Sequence, residues 1–141
     1  MSYASLQTLT DQFGADEVTR SADRDQDGVA DVGVVDRALA DADGEIDSYI
    51  GSVYKLPLDP VPSVVVTYAG AIALYRMSLQ TGVLTDEKRQ RYEDAIRWLR
   101  DVAAGKATLG GQPEPEPKAA SGTRMTAEPR EWTRQTIGRI L

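Results

Sequence analysis

The chain contains no histidine and no cysteine. Histidine is the side chain most used for proton transfer near neutral pH, and it is a common metal ligand. Its absence leaves any acid–base work to carboxylates, Lys, Tyr, Ser and Thr. Without cysteine, thiol catalysis, thiolate metal sites and disulfides are excluded, and nothing points to an oxidising compartment. Aromatic residues are sparse at 6%. Long hydrophobic runs are missing too. The most apolar stretch, Val64 to Leu74, is too short for a bilayer and is interrupted by Thr67 and Gly70. No membrane contact is therefore expected. The opening MSYASLQTLTDQFG has neither the basic start nor the apolar run of a secretory signal, so synthesis and use in a cytoplasm are expected.

What is present suits one small domain. The chain has 141 residues, of which 41% are hydrophobic. That is enough for a core without staples. The net charge of -6 is unevenly spread. Residues 1–111 carry 11 Lys/Arg against 18 Asp/Glu, whereas residues 118–141 carry 5 against 2. An acidic body argues against general binding to nucleic-acid phosphates. A basic tail on such a body suits an electrostatically complementary protein partner.

Hydrophobic spacing predicts helices throughout. Leu6, Leu9 and Phe13 share one helical face over 5–13, with Gly14 as a stop, and a short second helix follows at Asp16 to Ser21. Ala22 to Val32 reads as a loop. A long helix then starts near Asp31, a plausible N-cap, with Val35, Ala38, Leu39, Ala42, Ile46, Tyr49, Ile50 and Val53 on its stripe. Gly44 and Gly51 within it cost roughly 1 kcal/mol each relative to Ala and suggest a close helix–helix approach. The segment Lys55 to Pro62 carries three prolines and cannot be regular structure. From Pro62 to Leu79 the chain is apolar nearly all round, as a central bundle helix is. The Val64–Val66 run also suits a strand, but no other segment offers a strand partner. Thr85 caps a final helix over 86–104, whose apolar face is Tyr92, Ile96, Leu99 and Ala103, with Lys88 and four arginines on the remainder. The expected fold class is all-α: a bundle of four to five helices over 1–109, a Pro/Gly/Glu-rich spacer over 110–122, and a docking tail over 123–141.

Three charged clusters invite a chemical reading. Asp23-Arg24-Asp25-Gln26-Asp27-Gly28 matches the opening of an EF-hand loop, with Asp31 at position nine. Position twelve, where the bidentate glutamate belongs, is Val34, and position eight is Ala30. The simpler reading of Asp23, Asp25, Asp27 and Asp31 is an Asx-rich turn before the long helix, so no metal is assigned. Asp36, Asp41, Asp43, Glu45 and Asp47 read as a solvated helix face rather than a catalytic set. The arginines at 89, 91, 97 and 100 alternate with acids, so that helix reads as amphipathic and ion-paired rather than DNA-binding. No catalytic constellation and no cofactor site is found, and the chain reads as a non-enzyme.

The tail differs from all of these. Trp132, Ile137, Ile140 and Leu141 follow a proline-rich spacer and stand among Arg130, Arg134 and Arg139. Trp and Arg are enriched at the centres of protein interfaces. The tail can fold back over its own bundle or dock on another chain, and its composition favours docking.

The blocks YASLQTLTDQFG, DRDQDG, DRALADADGEIDSYIGSVYKLPL, the prolines at 60 and 62, and RYEDAIRWLRDVAAGKATLG resemble, in this order, the small virion proteins of Mu-like phages and prophages. The resemblance covers residues 3–111 and the Trp-Thr-Arg of the tail. It implies a build like the helical head–tail adaptors of long-tailed phages: homo-oligomeric, commonly dodecameric rings between the portal protein and a tail-side neck or tail-terminator protein. DNA passes through such rings without sequence-specific binding, and the virion neck is the implied location. In those adaptors the C-terminal segment reaches out to grip the portal. Two other readings stand beside this one: a calcium-stabilised helical module using the Asp23–Asp27 turn, and a helical regulator with a self-docked tail.

Overall fold

The computed structural model describes residues 2–110. Five helices fill them: α1 Leu6–Phe13, α2 Ala15–Ala22, α3 Val32–Ile50, α4 Ser63–Thr81 and α5 Asp86–Ala103. No strand occurs among the described residues, and Val64 to Val66 lie in α4. The spacer beyond 110 and the tail 123–141 lie outside the described residues.

Local chemistry sets the helix ends. Ser5 caps α1 through a capping box with Thr8. Gly14, at φ 87, both closes α1 and precedes α2, a conformation L side chains rarely adopt. Gly82 closes α4 in the left-handed region at φ 74. The Thr85 side chain accepts from the Lys88 N–H, and Asp86 and Glu87 complement the dipole of α5. Pro62 sits at the N-cap of α4, one residue before the helix, rather than in its first turn. Asp31 occupies the N-cap position of α3, but its side chain makes no cap bond there.

α4 is the axis of the body and touches all four other helices. Its all-round apolar sequence is explained by this position: Val65, Ala69, Ile72, Ala73, Leu74 and Met77 are buried on several sides. Two ring pairs, Tyr68–Trp98 and Tyr75–Tyr92, give the antiparallel register of α4 and α5. The start of α3 lies beside the end of α4. Asp31 N–H donates to Ala22 O at 3.2 Å, and Thr81 Oγ1 donates to Ser21 O at 3.1 Å. At the opposite end, the proline-rich connection buries Leu58, and Leu109 folds in behind it with its N–H on Tyr54 OH at 3.2 Å. The body therefore has two distinct ends, and the described chain leaves from the Tyr54 end.

Glycine placement differs from the expectation. A Cβ on Gly44 would meet nothing within 4 Å, and Gly51 is the C-cap of α3. The close approach is at Gly70 of α4, where a Cβ would lie 2.2 Å from Gln12 Oε1. Here α1 presses on the axis helix.

Candidate functional site

The aspartate turn is built around its own backbone. Asp23 Oδ2 accepts from Gly28 N–H at 2.9 Å, and Asp23 Oδ1 from Asp27 N–H at 3.1 Å. Asp27 Oδ1 accepts from Val29 N–H at 2.8 Å. Gln26 and Gly28 take positive φ to let these bonds close. The Gly28 bond holds the Asp23 carboxyl below its ordinary range. Carboxylate oxygens of Asp23, Asp25 and Asp27 fall within 4.8 Å of one another. Asp31 stands apart from them, accepting from the Arg24 N–H at 3.0 Å. Val34, at the twelfth loop position, packs against the core from α3. Of the four aspartates that the EF-hand pattern singles out, three converge and one does not.

The α3 carboxylates are only partly the solvated face expected of them. Asp36 and Asp41 are exposed, but Asp43, Glu45 and Asp47 are half-buried and bonded. Asp43 Oδ1 accepts from Tyr3 N–H at 3.0 Å, and Asp47 accepts from the Tyr3 hydroxyl. Glu45 bridges Arg76 Nη2 at 2.6 Å and Tyr92 OH at 2.8 Å. These three residues tie the N-terminal segment, α4 and α5 to α3. Burial and the Glu45 hydrogen bond push the Tyr92 hydroxyl up to about 12, and burial together with Asp47 raises Tyr3 further.

Lys88 also departs from its expected place among surface cations. Its side chain is 7% exposed and pairs with Glu17 of α2. Its ammonium also donates to Ser21 Oγ at 3.2 Å and Val83 O at 3.1 Å, using all three protons. Ser78 Oγ donates to the same Ser21 hydroxyl at 3.2 Å. This small polar centre joins α2, α4 and α5, and no sequence motif announces it. The outer arginines behave as expected: Arg91 pairs with Glu87, and Arg97 with Asp94 at 3.3 Å.

Nothing in these clusters pairs a nucleophile with a base, and each half-buried carboxylate is engaged by a structural donor. What the described surface offers instead is contact area. Val29, Val32 and Leu79 are exposed at the end of the body that carries the aspartate turn. No described helix is long and apolar enough to cross a membrane. The partner-binding set expected from the sequence, Arg130, Trp132, Arg134, Ile137, Arg139, Ile140 and Leu141, lies outside the described residues.

Comparison with known proteins gives consistent matches along the chain. The family model described as "Bacteriophage Mu, Gp36" matches residues 3–127. The Mu-like prophage FluMu protein gp36 of Haemophilus influenzae is 35% identical over 135 residues, spanning 95% of this chain and 94% of that protein. Gene product J of Escherichia phage Mu is 29% identical over 145 residues, spanning 99% and 100%.

Proposed function

The chain belongs to the bacteriophage Mu Gp36 family, and from that premise we propose that it is a non-enzymatic connector protomer of the phage neck. In this reading copies assemble as a ring between the portal protein and the tail-side neck or tail-terminator protein. The ring is dodecameric if it matches the portal beneath which such adaptors sit.

The observation that carries the reading is the division of the chain into two electrostatically opposed parts. The helical body is acidic, and a spacer separates it from a basic tail bearing Trp132 and four arginines. A tethered segment of this kind has little to add to a protein that works alone. It serves a protein that joins chains, because tethering raises the local concentration of the docking group. An acidic ring wall would also discourage passing DNA from adhering. The polar clusters support the non-enzymatic part, since Glu45, Asp43, Asp47 and Lys88 serve helix-to-helix ties.

The experiment is co-purification of the full chain with the portal protein of the same phage, with and without residues 123–141. The full chain is expected to hold the portal, and the shortened chain is expected to lose it. A full chain that ignores the portal refutes the connector role. Undiminished portal binding after tail deletion refutes the role of the tail.

A further inference from the structure

Among the described residues, three of the four large exposed hydrophobic side chains collect at one end of the body. Val29 is 64% exposed, Val32 62% and Leu79 51%. Val29 closes the aspartate turn, and Val32 opens α3. Leu79 adjoins Gln80, whose Oε1 accepts from Arg24 of the same turn at 2.8 Å. Asp25 and Asp27 are exposed on that turn. Apolar side chains beside concentrated negative charge fit a segment that is itself both apolar and basic.

The chain carries such a segment. Between Arg130 and Leu141, three arginines alternate with Trp132, Ile137, Ile140 and Leu141. The described body ends at the far end from the seat, where Leu109 is held on Tyr54. The 19 residues of α3 separate the two ends by about 28 Å. Extended as polyproline II, the spacer 110–122 reaches about 40 Å. That is long enough to bring the tail to the seat of a body standing alongside.

We propose that residues 130–141 of one copy seat on the Val29, Val32 and Leu79 end of an adjacent copy, with the arginines facing its aspartate turn. Each copy then offers one tail and one seat. Contacts of this heterologous kind link copies in one direction and close into a ring when the rotation permits. A tail seated on its own body would cover the same side chains but join nothing. The inference rests on the ring reading above, and it makes portal binding depend on the tail through the integrity of the ring.

The absence of cysteine makes a disulfide test on the full chain clean. Leu79→Cys and Ile137→Cys proteins are mixed and oxidised, and Gly44→Cys mixed with Ile137→Cys serves as the control. Gly44 is exposed in open space on α3, so its thiol is equally free. Tail seating on a neighbour predicts Leu79–Ile137 heterodimers forming about tenfold faster than control heterodimers, through proximity. Equal rates overturn the seat. A disulfide that forms only within single chains of the Leu79→Cys/Ile137→Cys double variant overturns the exchange between copies. Either result, with portal binding by the unmodified chain intact, refutes this seat alone. Loss of portal binding by the unmodified chain strikes the connector reading instead.

Discussion

Removing Glu17 should harm the protein more than removing the lysine it holds. Lys88 is the more deeply buried partner, 7% exposed against 29% for Glu17. In Glu17→Ala the ammonium keeps Ser21 Oγ and Val83 O but loses its one carboxylate partner among the described residues. Breaking a buried pair from this side costs about 3 kcal/mol. In Lys88→Met the carboxylate left behind is already reached by water and keeps Arg20 at 3.7 Å, and the new side chain fills the space. That change should cost about 1–2 kcal/mol. The double variant strands no charge, so its cost should fall short of the sum by about 1–2 kcal/mol. Urea unfolding followed by circular dichroism measures all three, and the larger loss corresponds to about 10 °C in Tm. The pH dependence adds an independent check. The Lys88 hydrogen bond holds the Glu17 carboxyl below its ordinary range. Its stabilisation is therefore complete above about 4.3, the ordinary glutamate value, and is lost as pH falls through the lower folded value. Glu17→Ala should lack that acid-side decline. A loss under about 0.5 kcal/mol for Glu17→Ala, as for a surface pair, would refute the reasoning, as would a greater loss for Lys88→Met.

Two further outcomes follow from particular positions. Gly44→Ala should stabilise the body by about 0.5–1 kcal/mol, because its Cβ meets nothing and the helix gains a better former; a lower unfolding midpoint in urea would contradict this. Tyr3 and Tyr92 hydroxyls are both raised by burial and by their carboxylate acceptors. Their stabilisation is present below about pH 10, the ordinary tyrosine value, and is lost as pH rises through the folded values. Unfolding free energy should fall across that alkaline range, and the combined Tyr3→Phe and Tyr92→Phe changes should flatten it.

The long helices are legible in the sequence because packing uses the same stripes that periodicity reveals. Val35, Ala38, Leu39, Ala42, Ile46 and Ile50 recur at helical spacing and are all buried. The largely apolar character of 64–74 has one physical outcome in a small helical body, a helix buried on several sides. Long-range ties leave no such trace. Lys88 looks like any cation on an amphipathic helix until α2 brings Glu17 and Ser21 to it. Asp43, Glu45 and Asp47 sit off the apolar stripe, so periodicity assigns them to solvent. Tyr3, Arg76 and Tyr92 arrive from distant segments and half-bury them. The close approach at Gly70 is equally invisible, since it depends on where α1 crosses. The exposed Val29, Val32 and Leu79 carry the composition of a core, and only the folded body shows that the rest of the described residues leave them uncovered.

The neck assignment itself is tested most directly on purified virions carrying an epitope-tagged copy of this protein. Gold-labelled antibody viewed by electron microscopy should mark the junction of head and tail and nowhere else. Label spread over the capsid or along the tail tube, or virions devoid of the protein, would contradict the connector role.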